Sequence, residues 1–102
     1  MKIILDDRRP MPETGPYNCV RTYEDCAFLI RNFRTISFIS LDYDLGEAKT
    51  GYDVLVYMKE NDIEVKHINI HSDHSVGVPK MREYAWSYFP NASVTFNPLN
   101  FK

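Results

Sequence analysis

Apolar residues in this chain come in short runs, some with a strand's period and some with a helix's, and charge or proline cuts between them. Ile3-Ile4-Leu5 is apolar on both faces and stops at Asp6-Asp7, as a central parallel strand should. Residues 8–17 carry Pro10, Pro12, Gly15 and Pro16, a density of breakers that no helix survives. Cys19 to Thr22 gives a weak second strand. Thr22 then caps a helix in which Cys26, Leu29, Ile30 and Phe33 recur on one buried face. Ile36 to Leu41 reads as a third strand, ended by Asp42. Thr50-Gly51-Tyr52-Asp53 resembles a capping box and opens a helix whose Val54, Tyr57 and Met58 share a face. His67 to His71 alternates as a fourth strand. Pro79 suits a first helical position, with Met81, Tyr84, Ala85 and Tyr88 continuing the spacing. Ser93 to Phe96 is a fifth strand.

Strands alternating with short helices imply parallel pairing through right-handed crossovers, hence a doubly wound sheet. Ligands in such sheets bind outside the carboxyl ends of the strands, where the strand order reverses. In the order 2-1-3-4-5 that reversal falls between the first and third strands. Those two strands end in Asp6-Asp7 and Asp42.

Composition adds limits. The chain has 102 residues, room for one modest core, and we expect a single domain over 1–102. Hydrophobic residues make up 44% and charged residues 25%, the balance of a globular protein rather than a disordered one. A net charge of -2 supplies no broad basic field for nucleic acid. No apolar run approaches the ~20 residues that span a bilayer, and charge arrives too early for a signal peptide. Cys19 and Cys26 fit no metal or redox spacing, so the expectation is a cytoplasmic chain with free thiols.

Asp6, Asp7, Asp42 and Asp44 would gather at one sheet edge. Two unit charges 4 Å apart repel by about 4 kcal/mol at an effective dielectric of ~20, so a proton, an arginine or a metal must intervene. Oxygen ligands alone favour magnesium, manganese or calcium over zinc. The plainer alternative is that Asp6 and Asp42 merely end strands and cap turns. His71, beside Ser72 at the end of the fourth strand, should face the same crevice mouth, where it would serve as a general acid or base; a histidine bonding loop backbone is the alternative. His67 and His71 would stand ~13 Å apart at ~3.3 Å per residue, which argues against a three-histidine zinc site and leaves His74 alone to line the crevice. Ser72 lacks the surroundings of a nucleophile and suits hydrogen bonding to an anion. Arg8 and Arg9 overhang the cluster, placed either to clamp a phosphate or to pair with the aspartates.

Leu5-Asp6-Asp7-x-Arg9-Pro10, Leu41-Asp42-x-Asp44-Leu45-Gly46, Thr50-Gly51-Tyr52-Asp53, and His71-Ser72 followed by Gly77 and Met81 resemble the cyclic-phosphate processing receiver domain. That family is a divergent relative of the response-regulator receiver. The resemblance implies a reduced receiver-like, flavodoxin-type α/β fold: a doubly wound parallel five-stranded sheet with the first and fifth helices missing or shortened. It implies that Asp6, Asp7 and Asp42 hold Mg2+ or Mn2+, with Asp7 and Asp42 matching the receiver's metal ligands by position, and that Asp44 adds its carbonyl as a fourth metal-site residue. Ser72 and Arg9 would orient the phosphate, and His71 would move a proton. Asp42, His71 and Ser72 are thus the expected catalytic residues, and a small phosphate-containing molecule the expected ligand. Three positions depart from the pattern: Asn97-Pro98 stands where phosphate-accepting receivers have Lys-Pro, and Tyr43 and His74 stand where the family has histidine and asparagine.

The leading reading is metal-dependent processing or hydrolysis of a cyclic phosphate or nucleotide-like phosphoester. The alternatives are an inactive receiver-like module that binds a protein, and an Asp42 phosphoacceptor. Without its first and fifth helices the sheet would leave one face underprotected. His67, Asn69, His71, Ser93 and Thr95 would let that face tolerate solvent in part. The rest would be met by a homodimer or, less favoured, by a lid made of the proline-rich loop and the Leu99-Asn100-Phe101 tail.

Overall fold

The structure is a computed structural model and describes residues 1–99. Among these, five parallel strands form one sheet in the order β2-β1-β4-β6-β7: β1 (Lys2–Leu5), β2 (Tyr17–Val20), β4 (Phe38–Leu41), β6 (His67–Ile70) and β7 (Ser93–Thr95). Two further short strands, β3 (Thr35–Ile36) and β5 (Glu64–Val65), pair in parallel as a separate ribbon. Three helices connect the strands: α1 (Tyr23–Phe33), α2 (Gly51–Glu60) and α3 (Gly77–Tyr88). This is the reduced receiver-like, flavodoxin-type architecture, with no helix between β1 and β2. No helix among the described residues is long and apolar enough to cross a membrane.

Pleating explains where the core sits. Ile3, Leu5, Ile39, Leu41, Ile68 and Ile70 alternate onto one face and pack with Cys26, Ile30, Val54, Leu55, Met58, Met81 and Ala85 of the helices. The intervening residues point to the opposite face. Thr22 caps α1 as expected, its hydroxyl accepting from Asp25 N at 3.2 Å. Asp53 closes the start of α2 by accepting from both the amide and the hydroxyl of Thr50.

Several boundaries differ from expectation. The third strand is broken at Ser37, because Ser37 N and Oγ both donate to Met1 O, at 2.9 and 3.0 Å. A serine so engaged competes with the ladder, and the chain splits into β3 and β4. The second strand lies at Tyr17–Val20 rather than 19–22, since its partner β1 ends at Leu5, opposite Val20. The fourth and fifth strands each end one residue early, at Ile70 and Thr95. Phe33, expected on the buried face of α1, is 55% exposed. It is the last helical residue, and Arg34, with φ 54, turns the chain away. Helix α3 starts at Gly77, two residues before Pro79, because His74 Nδ1 accepts from Val76 N and Gly77 N and caps it. Pro79 still falls in the first turn, where its missing N–H costs nothing.

The helix-free face is less open than expected. Ile4 points into it and is fully buried, although it lies outside the helix-side core. The proline-rich segment reaches this face where Cys19 Sγ donates to Pro12 O at 3.4 Å, and Asn97 is fastened to Asn69. Asn69 and Ser40 are buried rather than solvated. Of the tail expected as part of a lid, Asn100 and Phe101 lie outside the described residues.

Candidate functional site

Sheet register brings the site together. Leu5 pairs with Leu41 and Leu41 with Ile70, so Asp6, Asp42 and His71 leave three adjacent strands at one level. The ladder continues one step further through Asp6 N to Val20 O, Asp42 N to Leu5 O and His71 N to Leu41 O, at 3.1–3.2 Å. This is the switch point, with β2 on one side of β1 and β4 on the other.

Asp6 is the most heavily engaged of these groups. Its Oδ1 accepts from Arg8 N and Arg9 N, both at 2.9 Å, because the chain turns sharply after β1. Its Oδ2 receives Arg9 Nη1 at 3.0 Å and His71 Nε2 at 2.9 Å. Burial by itself would raise the pKa of this carboxyl, but the bonds from Arg9, Arg8 and His71 outweigh it and hold Asp6 below the ordinary 3.8. Asp42 goes the other way. Burial and then the charge of Asp6 push its pKa up, against the opposing pull of Ser72, Arg9 and the Tyr43 amide. Arg9 Nη1 reaches Asp42 Oδ2 at 3.7 Å, so one guanidinium bridges both carboxylates. The arginine thus pairs with the aspartates, and its side chain remains 36% exposed.

Asp6, Asp42 and His71 bring potential ligand atoms within 4.8 Å of one another. That centre is already filled, however, since both Asp6 oxygens and the ring nitrogen facing them are in hydrogen bonds. Asp7, outside that convergent group, is placed differently. Its Oδ1 is buried and has no hydrogen-bond partner, its nearest cation being Arg8 Nε at 4.0 Å. An oxygen donor of this kind suits magnesium or manganese. Asp44 has its carboxylate turned into its own loop, accepting from Gly46 N at 2.9 Å.

His71 does not face the crevice mouth. Its side chain is wholly buried beneath Asp6, with Nδ1 2.7 Å from Ser40 Oγ. Burial lowers its pKa below 6.5, against the opposing influence of Asp6. Ser72 lies at the site with Asp42 and accepts from His74 N at 3.2 Å, so its hydroxyl steadies the carboxylate. The two departures Tyr43 and His74 touch each other, their rings 4.6 Å apart. Asn97 is held by its main chain, whose N–H and carbonyl both bond the Asn69 amide. His67 sits apart, 2.8 Å from Thr95 Oγ1, so the three histidines do not converge.

Ser40 and the bonding role of Asn69 are the parts that sequence reasoning missed. The available signal was an amide in the middle of a strand, read as tolerating solvent, whereas a polar group that the fold buries needs partners.

The family model described as the Cyclic-phosphate processing Receiver domain matches residues 1–87. The matched span contains Asp6, Asp7, Arg9, Asp42, His71 and Ser72 and stops short of β7 and Asn97. No curated protein and no solved structure matches the chain.

Proposed function

We propose that this chain, which belongs to the cyclic-phosphate processing receiver domain family, processes a cyclic phosphate or related phosphoester at the Asp7–Asp42 edge of its sheet. The observation behind the reading is the buried Oδ1 of Asp7, without a hydrogen-bond partner and next in sequence to the Asp6 whose charge crowds Asp42. Asp7 and Asp42 would hold Mg2+ or Mn2+, which when bound polarises a phosphoryl oxygen. Arg9 offers its exposed N–H groups to the phosphate while its Nη1 stays with Asp6. Ser72 keeps Asp42 in place and borders the anion. His71, covered by Asp6, acts through that carboxylate rather than by touching substrate.

Incubating the pure chain with linear and cyclic phosphate esters, with and without magnesium or manganese, tests this. The expected result is ring opening or release of phosphate that needs metal and disappears in Asp42→Asn. Neither turnover nor binding of any cyclic ester in the presence of metal would overturn it.

The 3.7 Å Arg9–Asp42 pair favours one second reading, a receiver-like binding module whose acidic site is neutralised from within. Such a module would bind a partner and leave every ester intact. Phosphoacceptance ranks lower, because Asn97 supplies no cation where receivers place lysine. Treatment with a small phosphodonor should therefore add no stable phosphoryl group at Asp42, as read by intact mass. For self-association, the half-buried Phe38 contributes the apolar part of the helix-free face that a second copy would cover. Sedimentation at rising concentration tests that contact.

A further inference from the structure

We infer that Asn69 and Ser40 are positioning residues that order a one-way hydrogen-bond chain from the main chain of Asn97 to Asp6, holding the His71 ring with its proton on Nε2.

The order follows from groups that have only one role. Asn97 N donates and cannot accept, so the Asn69 atom 2.9 Å from it is the amide oxygen. Asn97 O accepts and cannot donate, so the atom 2.8 Å from it is the amide nitrogen. The orientation of the Asn69 amide is thereby set by backbone alone. Its Nδ2 then donates its other proton to Ser40 Oγ at 2.9 Å. Ser40 has one proton and, among the described residues, a single remaining hydrogen-bond neighbour, His71 Nδ1 at 2.7 Å. A proton on Nδ1 would leave the Ser40 hydroxyl hydrogen buried without an acceptor, at a residue with no solvent exposure. Nδ1 is therefore bare, and the ring carries its proton on Nε2, directed at Asp6 Oδ2 at 2.9 Å.

The same logic branches outward. Asn69 Oδ1 has no proton to give, so Thr95 Oγ1, 2.6 Å away, donates to it. Thr95 Oγ1 must then accept from His67 Nε2 at 2.8 Å. Both histidines on this face are set in the same form by one amide. The inference concerns the order of protons beneath Asp6 and stands apart from the phosphoryl reading, because its readout needs neither substrate nor metal.

Long-range 1H–15N spectra of the imidazole rings in the intact chain near neutral pH test it, with the His71 signals assigned by their loss in His71→Gln. The expected wild-type pattern is an unprotonated Nδ1 and a protonated Nε2 for His71. Ser40→Ala should leave Nδ1 unprotonated but shift its resonance to that of a nitrogen without a hydrogen bond. Asn69→Asp, nearly isosteric, offers Ser40 an acceptor in place of a donor; the serine proton should turn toward residue 69 and a proton should appear on His71 Nδ1. In the Ser40→Ala background Asn69→Asp should leave the ring unchanged. A wild-type ring protonated on Nδ1 would overturn the inference. So would a Ser40→Ala variant with an unmoved Nδ1 resonance, whether or not Asn69→Asp folds.

Discussion

Asp6 and His71 are 65 residues apart in the chain, and the Nε2 of one meets the Oδ2 of the other at 2.9 Å under a surface that neither reaches. The contact joins the first strand end to the fourth and makes Asp6 the point where Arg9, the turn after β1 and the buried ring all converge. A carboxylate surrounded by donors in this way is built into the fold. The buried oxygen of the cluster left without a hydrogen-bond partner belongs to Asp7.

Replacing Asp6 should cost stability accordingly. Asp6→Asn presents an amide NH2 to donors on one side or the other and leaves the Arg9 charge partly uncompensated. The side chain is 1% exposed, so breaking this pair should cost about 3 kcal/mol. Urea unfolding near neutral pH measures it, and a loss below about 1 kcal/mol would place the bonds of Asp6 among ordinary surface contacts.

Acid should weaken the fold through His71 first. Burial holds its folded pKa below 6.5, so the unfolded chain takes up the proton before the folded chain does. Its contribution is full above 6.5 and is lost as pH falls from there through the folded value, at up to about 1.4 kcal/mol per pH unit. Asp6, with its pKa lowered, adds stability above 3.8 that is lost at still lower pH. Asp42, with its pKa raised, has the opposite sense: its contribution is present below 3.8 and is lost as pH rises through its folded value. Wild type should therefore lose more stability than His71→Gln between about pH 7.5 and about pH 5.5 in paired urea titrations. Equal losses would show that the ring is protonated alike in both states.

Magnesium or manganese should raise the melting temperature. A cation held by the proposed Asp7 and Asp42 ligands would bind the folded chain and not the unfolded one, and at a hundred times its dissociation constant would add about 2.7 kcal/mol. Asp7→Asn and Asp42→Asn should each remove the response. Identical melting of the wild type in metal and in chelator would eliminate the cation site.

Gly51 and Gly77 should resist even alanine. A Cβ at Gly51 would overlap the main-chain carbonyl of Asp42, and one at Gly77 would overlap the Tyr43 ring. Each alanine should cost about 1–3 kcal/mol, the usual penalty of overpacking. Gly51→Ala should also weaken any metal response, because the atoms that must yield belong to the Asp42 backbone. Denaturation of the two variants, with and without magnesium, separates these effects.

Much of this protein is local and was legible in the chain itself. Apolar runs ending in aspartate, helical spacing after Thr22 and Thr50, and breakers through residues 8–17 predict the five-stranded order and the acidic switch point. Each of those features depends on neighbours a few residues away, which is what periodicity, capping and proline report. Element ends were harder to read. Ser37 breaks its strand because Met1 O lies beside it, 36 residues away in sequence, and the second strand stops where β1 stops.

The division of labour among the polar groups was decided only by the tertiary structure. Four aspartates near one edge are alike in sequence. Register and burial then make Asp6 a saturated acceptor, leave Asp7 with an unpartnered oxygen, crowd Asp42 and turn Asp44 into its own loop. His71 looked like a residue of the crevice mouth because its strand ends there, yet the pleat sends its ring beneath Asp6 onto Ser40. Composition and spacing determined which chemistry gathers at the strand ends. Which oxygen is free, which proton is held and which nitrogen is bare depend on partners dozens of residues distant, and only the folded chain brings those within hydrogen-bond reach.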